Sequence, residues 1–304
     1  MGRSISTLPV FGLLFSILFC VSGCAKTQVT EEKEVAVKPK NGTLLRLKPL
    51  DDPLKFHLVR QERTLMNKVP QYKKNFDLSF DLTIERASEN DYQIKPSNGN
   101  GLDLDKKQSN HLKKMAAIIS KGAISITLAE NGAASDPLFI EANDAGWAGA
   151  MALKAIGMFE HGFLETMLPK DPIEPGAKWS RYVDYAEEDK QADANASELF
   201  PGLKKSIKFV QTGPEAEYTL VKIESVEGRQ IAEITYNSSG TVSIDSKHPL
   251  MGDSSYQQEF TEKGTIKLDV KTGWPIEFKM VRTVETKSAT VPSIEEYTTH
   301  VKRI

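Results

Sequence analysis

The chain has 304 residues, 39 Lys and Arg against 41 Asp and Glu, a formal net charge of −2 and two cysteines. Balanced charge with no basic cluster to track a phosphate backbone speaks against nucleic acid as a partner, and the length suits one large domain or two small ones. Both cysteines, Cys20 and Cys24, lie near the N-terminus, so no disulfide staples the body and its stability must come from a hydrophobic core.

In chain order, Arg3 precedes an apolar run over residues 10–21, too short to span a bilayer and suited to a secretory signal. The run closes on Val21-Ser22-Gly23-Cys24. This tetrapeptide resembles the processing site of bacterial lipoproteins, in which small residues precede the cut and the first mature residue is a cysteine that takes diacylglycerol. The resemblance implies a signal over 1–23, acylation (palmitate among the chains) at Cys24 and membrane attachment through the N-terminal lipid. Ala25, rather than aspartate, occupies the second mature position, which resembles the outer-membrane default of enteric lipoproteins and implies an inner leaflet facing the periplasm. Residues 24–41 are polar and without period, a flexible tether reaching roughly 20 to 25 Å.

From Gly42 onward alternation of period two dominates. Phe76, Leu78, Phe80, Leu82 and Ile84 share one face of a strand, with polar residues on the other. The pattern recurs at Ile124, Ile126 and Leu128; at Ala232, Ile234 and Tyr236; at Ile266, Leu268 and Val270; and at Ile276, Phe278 and Met280. Sheets with one wet face are usually antiparallel. Turn signals at Glu130-Asn131-Gly132, Glu227-Gly228 and Lys271-Thr272-Gly273 predict hairpins. Phe76, Phe80, Ile84, Trp179 and Phe278 are the expected core.

Residues 145–167 follow a helical period and contain no proline. Ile156, Phe159, Phe163 and Met167 share one arc, while Lys154, His161 and Glu165 gather opposite. Trp147, Met151 and Met158 form a second apolar stripe. Either this helix is buried from two sides, or Trp147, Met151, Met158, Phe159 and Phe163 form a lid over an apolar ligand. Pro169 and Pro172 end the helix, and Pro175-Gly176 turns into a strand near Trp179.

The run from Leu168 to Trp179 (LPKDPIEPGAKW) resembles an uncharacterised family of secreted and lipid-anchored bacterial proteins. Architecture alone also resembles the lipoprotein-carrier fold, which implies a curved sheet with helices on its concave face. The expected fold is therefore mainly β within the α+β class: a curved antiparallel sheet, read as a half-barrel, with one long amphipathic helix. Windows at Gly42-Thr43-Leu44 with Pro53-Leu54-Lys55-Phe56, and at Gly264-Thr265-Ile266 with Pro275-Ile276-Glu277-Phe278, leave open a single β-rich domain over 42–304 or two halves, 42–142 and 171–304, joined by the helix.

Chemistry is sparse. Asp77 and Asp81 lie roughly 13 Å apart on an extended strand, too far to share a cation, so with Glu85 they read as a solvated face. The run from Asn98 to Asp105 lacks the closing glutamate of a calcium loop. The histidines (His57, His111, His161, His248 and His300) form no zinc pairing, and His161 with Glu165 faces no recognisable nucleophile. No metal, no cofactor and no catalysis are expected. The functions in play are binding of an apolar ligand or lipidated partner, or a structural role in the envelope with a filled core.

Overall fold

A computed structural model describes residues 42–103, 124–132, 134–139, 168–181, 204–209, 216–248, 252–287 and 292–304. Their twelve strands are β1 (Leu54–Met66), β2 (Val69–Arg86), β3 (Asp91–Asp103), β4 (Ile124–Ala129), β5 (Ala134–Phe139), β6 (Lys178–Arg181), β7 (Lys204–Phe209), β8 (Ala216–Val226), β9 (Arg229–His248), β10 (Gly252–Asp269), β11 (Pro275–Lys287) and β12 (Ser293–Arg303). They form one antiparallel sheet in the order β5-β4-β3-β2-β1-β12-β11-β10-β9-β8-β6, with β7 pairing β9. Two meanders thus meet where β1 pairs β12, Leu58 opposite Val301.

Alternation sets the faces as expected. Leu78, Phe80, Leu82 and Ile84 are buried on β2, Leu128 on β4, Ala232, Ile234 and Tyr236 on β9, Ile266 and Leu268 on β10, and Phe278 and Met280 on β11. Glu227 and Gly228 both take positive φ, 50° and 78°, the pair that a tight hairpin between twisted strands requires. Asn67 and Lys68 do the same between β1 and β2, at 51° and 63°.

The sheet is rolled, and the proof lies in a strap over residues 42–50. Leu47 N donates to Glu130 O in the β4–β5 turn, and Lys48 N donates to Thr272 O in the β10–β11 turn. In a flat sheet those turns would lie six strand spacings apart, about 29 Å, yet they bond to adjacent residues whose Cα atoms are about 3.8 Å apart. Bulges at Ser79/Asp81, Lys267/Leu268 and Leu220/Lys222 add local bend. The strap seals the base of the resulting cup: Leu45 and Leu47 are buried in its core. Arg46 donates to Pro169 O and Lys170 O. Thr43 and Ile173 bond to each other in both directions.

Trp274 occupies the centre of the base, fully buried, with Nε1 donating to Lys48 O at 2.7 Å and its ring edge-on to Tyr92. Gly273, at φ 76°, lies so close that a Cβ there would sit 2.1 Å from Arg46 O.

Two expectations change. Trp179 is only partly buried, because β6 is at the edge of the sheet, where the ring stacks on Tyr218 at 5.5 Å. Asn98 to Asp103 belong to β3 rather than to a loop: β2 templates them, with Asn100 opposite Ser79 and Asp103 opposite Phe76. The described residues contain no helix, and residues 145–167 lie outside them, as do 1–41. The two look-alike windows differ in part, since Gly264 to Ile266 are inside β10 whereas Gly42 to Leu44 precede any strand.

Candidate functional site

The concave face changes character along its own strands. Toward the base it is apolar, including an aromatic row: Trp179 on Tyr218, Tyr218 beside Tyr236 at 5.8 Å, and Tyr236 stacked on Phe278 at 6.3 Å. Tyr236 reaches across because its strand neighbour is Gly264, where a Cβ would lie 2.1 Å from the tyrosine ring. Glycine here makes room for the ring rather than for a turn.

One step toward the mouth, the inward positions carry charge. Ser238, Glu262, Arg282, Tyr297 and Glu62 stand directly opposite one another across β9, β10, β11, β12 and β1. Glu262 is 1% exposed, accepts from Tyr236 Oη at 2.7 Å, and lies 3.5 Å from Arg282 Nη1. Arg60, fully buried, donates through Nε to Glu62 Oε1 at 3.0 Å. Each guanidinium also lies over a ring, Arg60 over Tyr297 at 4.9 Å and Arg282 over Phe260 at 5.3 Å, an arrangement that holds a weakly hydrated planar cation well. Burial, then the nearby carboxylates of Glu295 and Glu62, push the Tyr297 phenol well above its ordinary range, so it acts as a donor; its hydroxyl bonds Glu295.

Beyond the ladder, Phe260, Val284 and Tyr297 form a small apolar cluster. A row of uncharged polar side chains follows, Gln258, Thr286 and Ser293, all buried, with Gln258 Nε2 donating to Thr286 Oγ1 at 3.1 Å.

None of the ladder residues was singled out by spacing. The residues that were, Cys24, Trp147, Met151, Met158, Phe159 and Phe163, all lie outside the described part. The carboxylates of β2 have separate partners, as a solvated face should: Asp77 bonds His57 at 2.8 Å, Asp81 accepts from Asn98, and Glu85 pairs Lys95. Among the described residues no group of three His, Cys, Asp or Glu side chains could hold a metal ion.

The convex face is mostly polar, with Asp77, Ser79, Asp81, Thr83 and Glu85 on β2 and Glu277, Lys279, Thr283, Glu285 and Lys287 on β11, where Val281 is the exposed apolar exception. A barrel facing lipid needs an apolar outer band, and these strands have the reverse.

No protein-family model matches the chain, and no curated protein matches it. Among solved structures it is similar to a candidate lipoprotein of Parabacteroides distasonis, at 10% identity and a TM-score of 0.21, covering 83% of this chain and 96% of that one. It is also similar to the outer membrane protein OmpT of Vibrio cholerae with loop L8 deleted, at 9% identity and 0.19, covering 83% and 99%. A third likeness is to OmpF of Salmonella typhi in complex with daunomycin, at 6% identity and 0.23, covering 81% and 96%. Scores this low carry no argument about fold, membrane insertion or activity.

Proposed function

We propose that this chain is a lipoprotein of the bacterial cell envelope, acylated at Cys24, whose rolled sheet binds an amphiphilic molecule rather than catalysing a reaction. The anchor rests on Val21-Ser22-Gly23-Cys24, and placement at the outer membrane, facing the periplasm, rests on Ala25. The binding half rests on one observation: β10, β11 and β1 pass from Ile266, Phe278 and Phe56 to Glu262, Arg282 and Arg60 while staying inside the cup. Replacing a buried ion pair by apolar residues of similar volume is often neutral or stabilising, so packing alone does not account for two of them. A guest with an apolar and a polar part would use both layers, its chain along the aromatic row and its head at the ladder. Trp147, Met151, Met158, Phe159 and Phe163 would cover the chain.

Mass spectrometry of the organic extract from the full-length chain, isolated without detergent, tests the binding half. The expected result is a stoichiometric amphiphile that is lost from the Glu262→Gln/Arg282→Met double variant. An empty extract from the unaltered chain would leave the second reading, a structural envelope protein with a filled interior, which the closure of the base by Leu45, Leu47 and Trp274 favours. Metabolic labelling with a clickable fatty acid tests the anchor, and label persisting on Cys24→Ser would overturn it.

A further inference from the structure

The ladder sets two guanidiniums against two carboxylates, and Glu295, bonded to the Tyr297 hydroxyl, adds a third carboxylate beside it. Arg60 is matched by Glu62, and Arg282 by Glu262. Thr299 stands directly opposite Arg60 on one side and Met280 on the other. It is 1% exposed, and among the described residues nothing hydrogen-bonds its hydroxyl. A buried hydroxyl left unbonded is costly, whereas bonding to a guest would recover that cost. An anionic guest here would meet three carboxylates, Glu62, Glu262 and Glu295, against two guanidiniums that are already ion-paired, and would be buried without a counter-charge of its own.

We infer that the ladder and Thr299 select an amphiphile with an uncharged, hydroxyl-bearing head group and discriminate against one whose head is anionic. The inference rests on the amphiphile reading above and adds the chemistry of the head. Discrimination of this kind needs no repulsive side chain, because the penalty is the missing counter-charge. A hydroxyl can donate to and accept from Thr299 Oγ1 without disturbing either ion pair.

Two probes with the same twelve-carbon chain separate head from tail: 1-monolauroylglycerol and laurate, each titrated below its aggregation threshold into the full-length chain. Binding is read by tryptophan fluorescence and by the melting temperature, which a ligand bound only by the native state raises. The expected result is saturable binding of 1-monolauroylglycerol at least tenfold tighter than laurate. Thr299→Val should weaken it about tenfold, the effect of one lost hydrogen bond, and leave laurate unchanged; Thr299→Ser, which keeps the hydroxyl, should restore it. Laurate binding as tightly as the monoglyceride would overturn the head-group inference and leave the amphiphile reading in place. Binding of neither probe would overturn both. Unchanged monoglyceride affinity in Thr299→Val would overturn the role of that hydroxyl.

Discussion

Two charged ladders cross the same strands on opposite faces of the sheet. On the concave face Glu262, Arg282, Tyr297 and Glu62 are opposed, with Glu262 and Tyr297 buried and Arg282 and Glu62 partly so. On the convex face His57, Lys302, Glu277, Lys267, Glu233 and Lys222 are opposed across β1, β12, β11, β10, β9 and β8 and reach solvent. The convex pairs have similar geometry, Lys267 to Glu277 at 3.2 Å and Lys222 to Glu233 at 3.7 Å. Their worth differs because water competes for the exposed ions and salt screens them, whereas a buried ion that loses its partner has nothing to turn to.

The largest test of that difference is Glu262→Ala, which strands the Arg282 guanidinium and the Tyr236 hydroxyl in the interior. It should cost about 3 to 5 kcal/mol in denaturant unfolding, with the loss unchanged by added salt. Gly264→Ala should cost about 1 to 3 kcal/mol, because the new methyl group displaces the Tyr236 ring and with it the bond to Glu262. Glu262→Ala and Gly264→Ala combined should then cost less than their sum, since both break the same contact.

A smaller effect is expected from pH on the convex ladder. Burial alone would raise the Glu277 carboxyl, but hydrogen bonds from Lys279, Lys267 and His300 outweigh it and hold the group at about 2, against an ordinary value of 4.5. A lowered folded-state value contributes stability that is present above about 4.5 and is lost as pH falls from there toward 2. Glu277→Gln should remove that part of the acid dependence. The smallest effect belongs to Lys222, half exposed between Glu224 and Glu233: Lys222→Ala should leave the unfolding midpoint where it is. A Lys222→Ala shift as large as that of Glu262→Ala would erase the distinction between the faces.

Much of the sheet was legible because one-sided burial writes itself as alternation, from Leu78 to Ile84 on β2 and from Ala232 to Tyr236 on β9. The β8–β9 turn was legible for a different reason, since Gly228 adopts positive φ at no steric cost. The ladder was not read, although the same parity contains it: from Leu54, Phe56 and Leu58 the next inward positions are Arg60 and Glu62. Phe278 and Met280 lead likewise to Arg282. A charge on an inward position looks like the end of a strand's buried stretch until its partners on neighbouring strands are known, and those partners depend on register. Trp274 escaped for a related reason. It follows the turn at Lys271-Thr272-Gly273, and only the strap, brought from the other end of the chain, makes that turn an interior.

The pairing of β1 with β12 also has a consequence for how this chain is made. Leu58 waits for Val301, and Met66 for Ser293, so the two meanders can form locally but the seam between them closes last. Long-range closure of this kind slows folding. It also leaves two strand edges open until the final hairpin is delivered, which makes β12 the keystone: deleting residues 293–304 should yield two unjoined meanders prone to associate through β1 and β11.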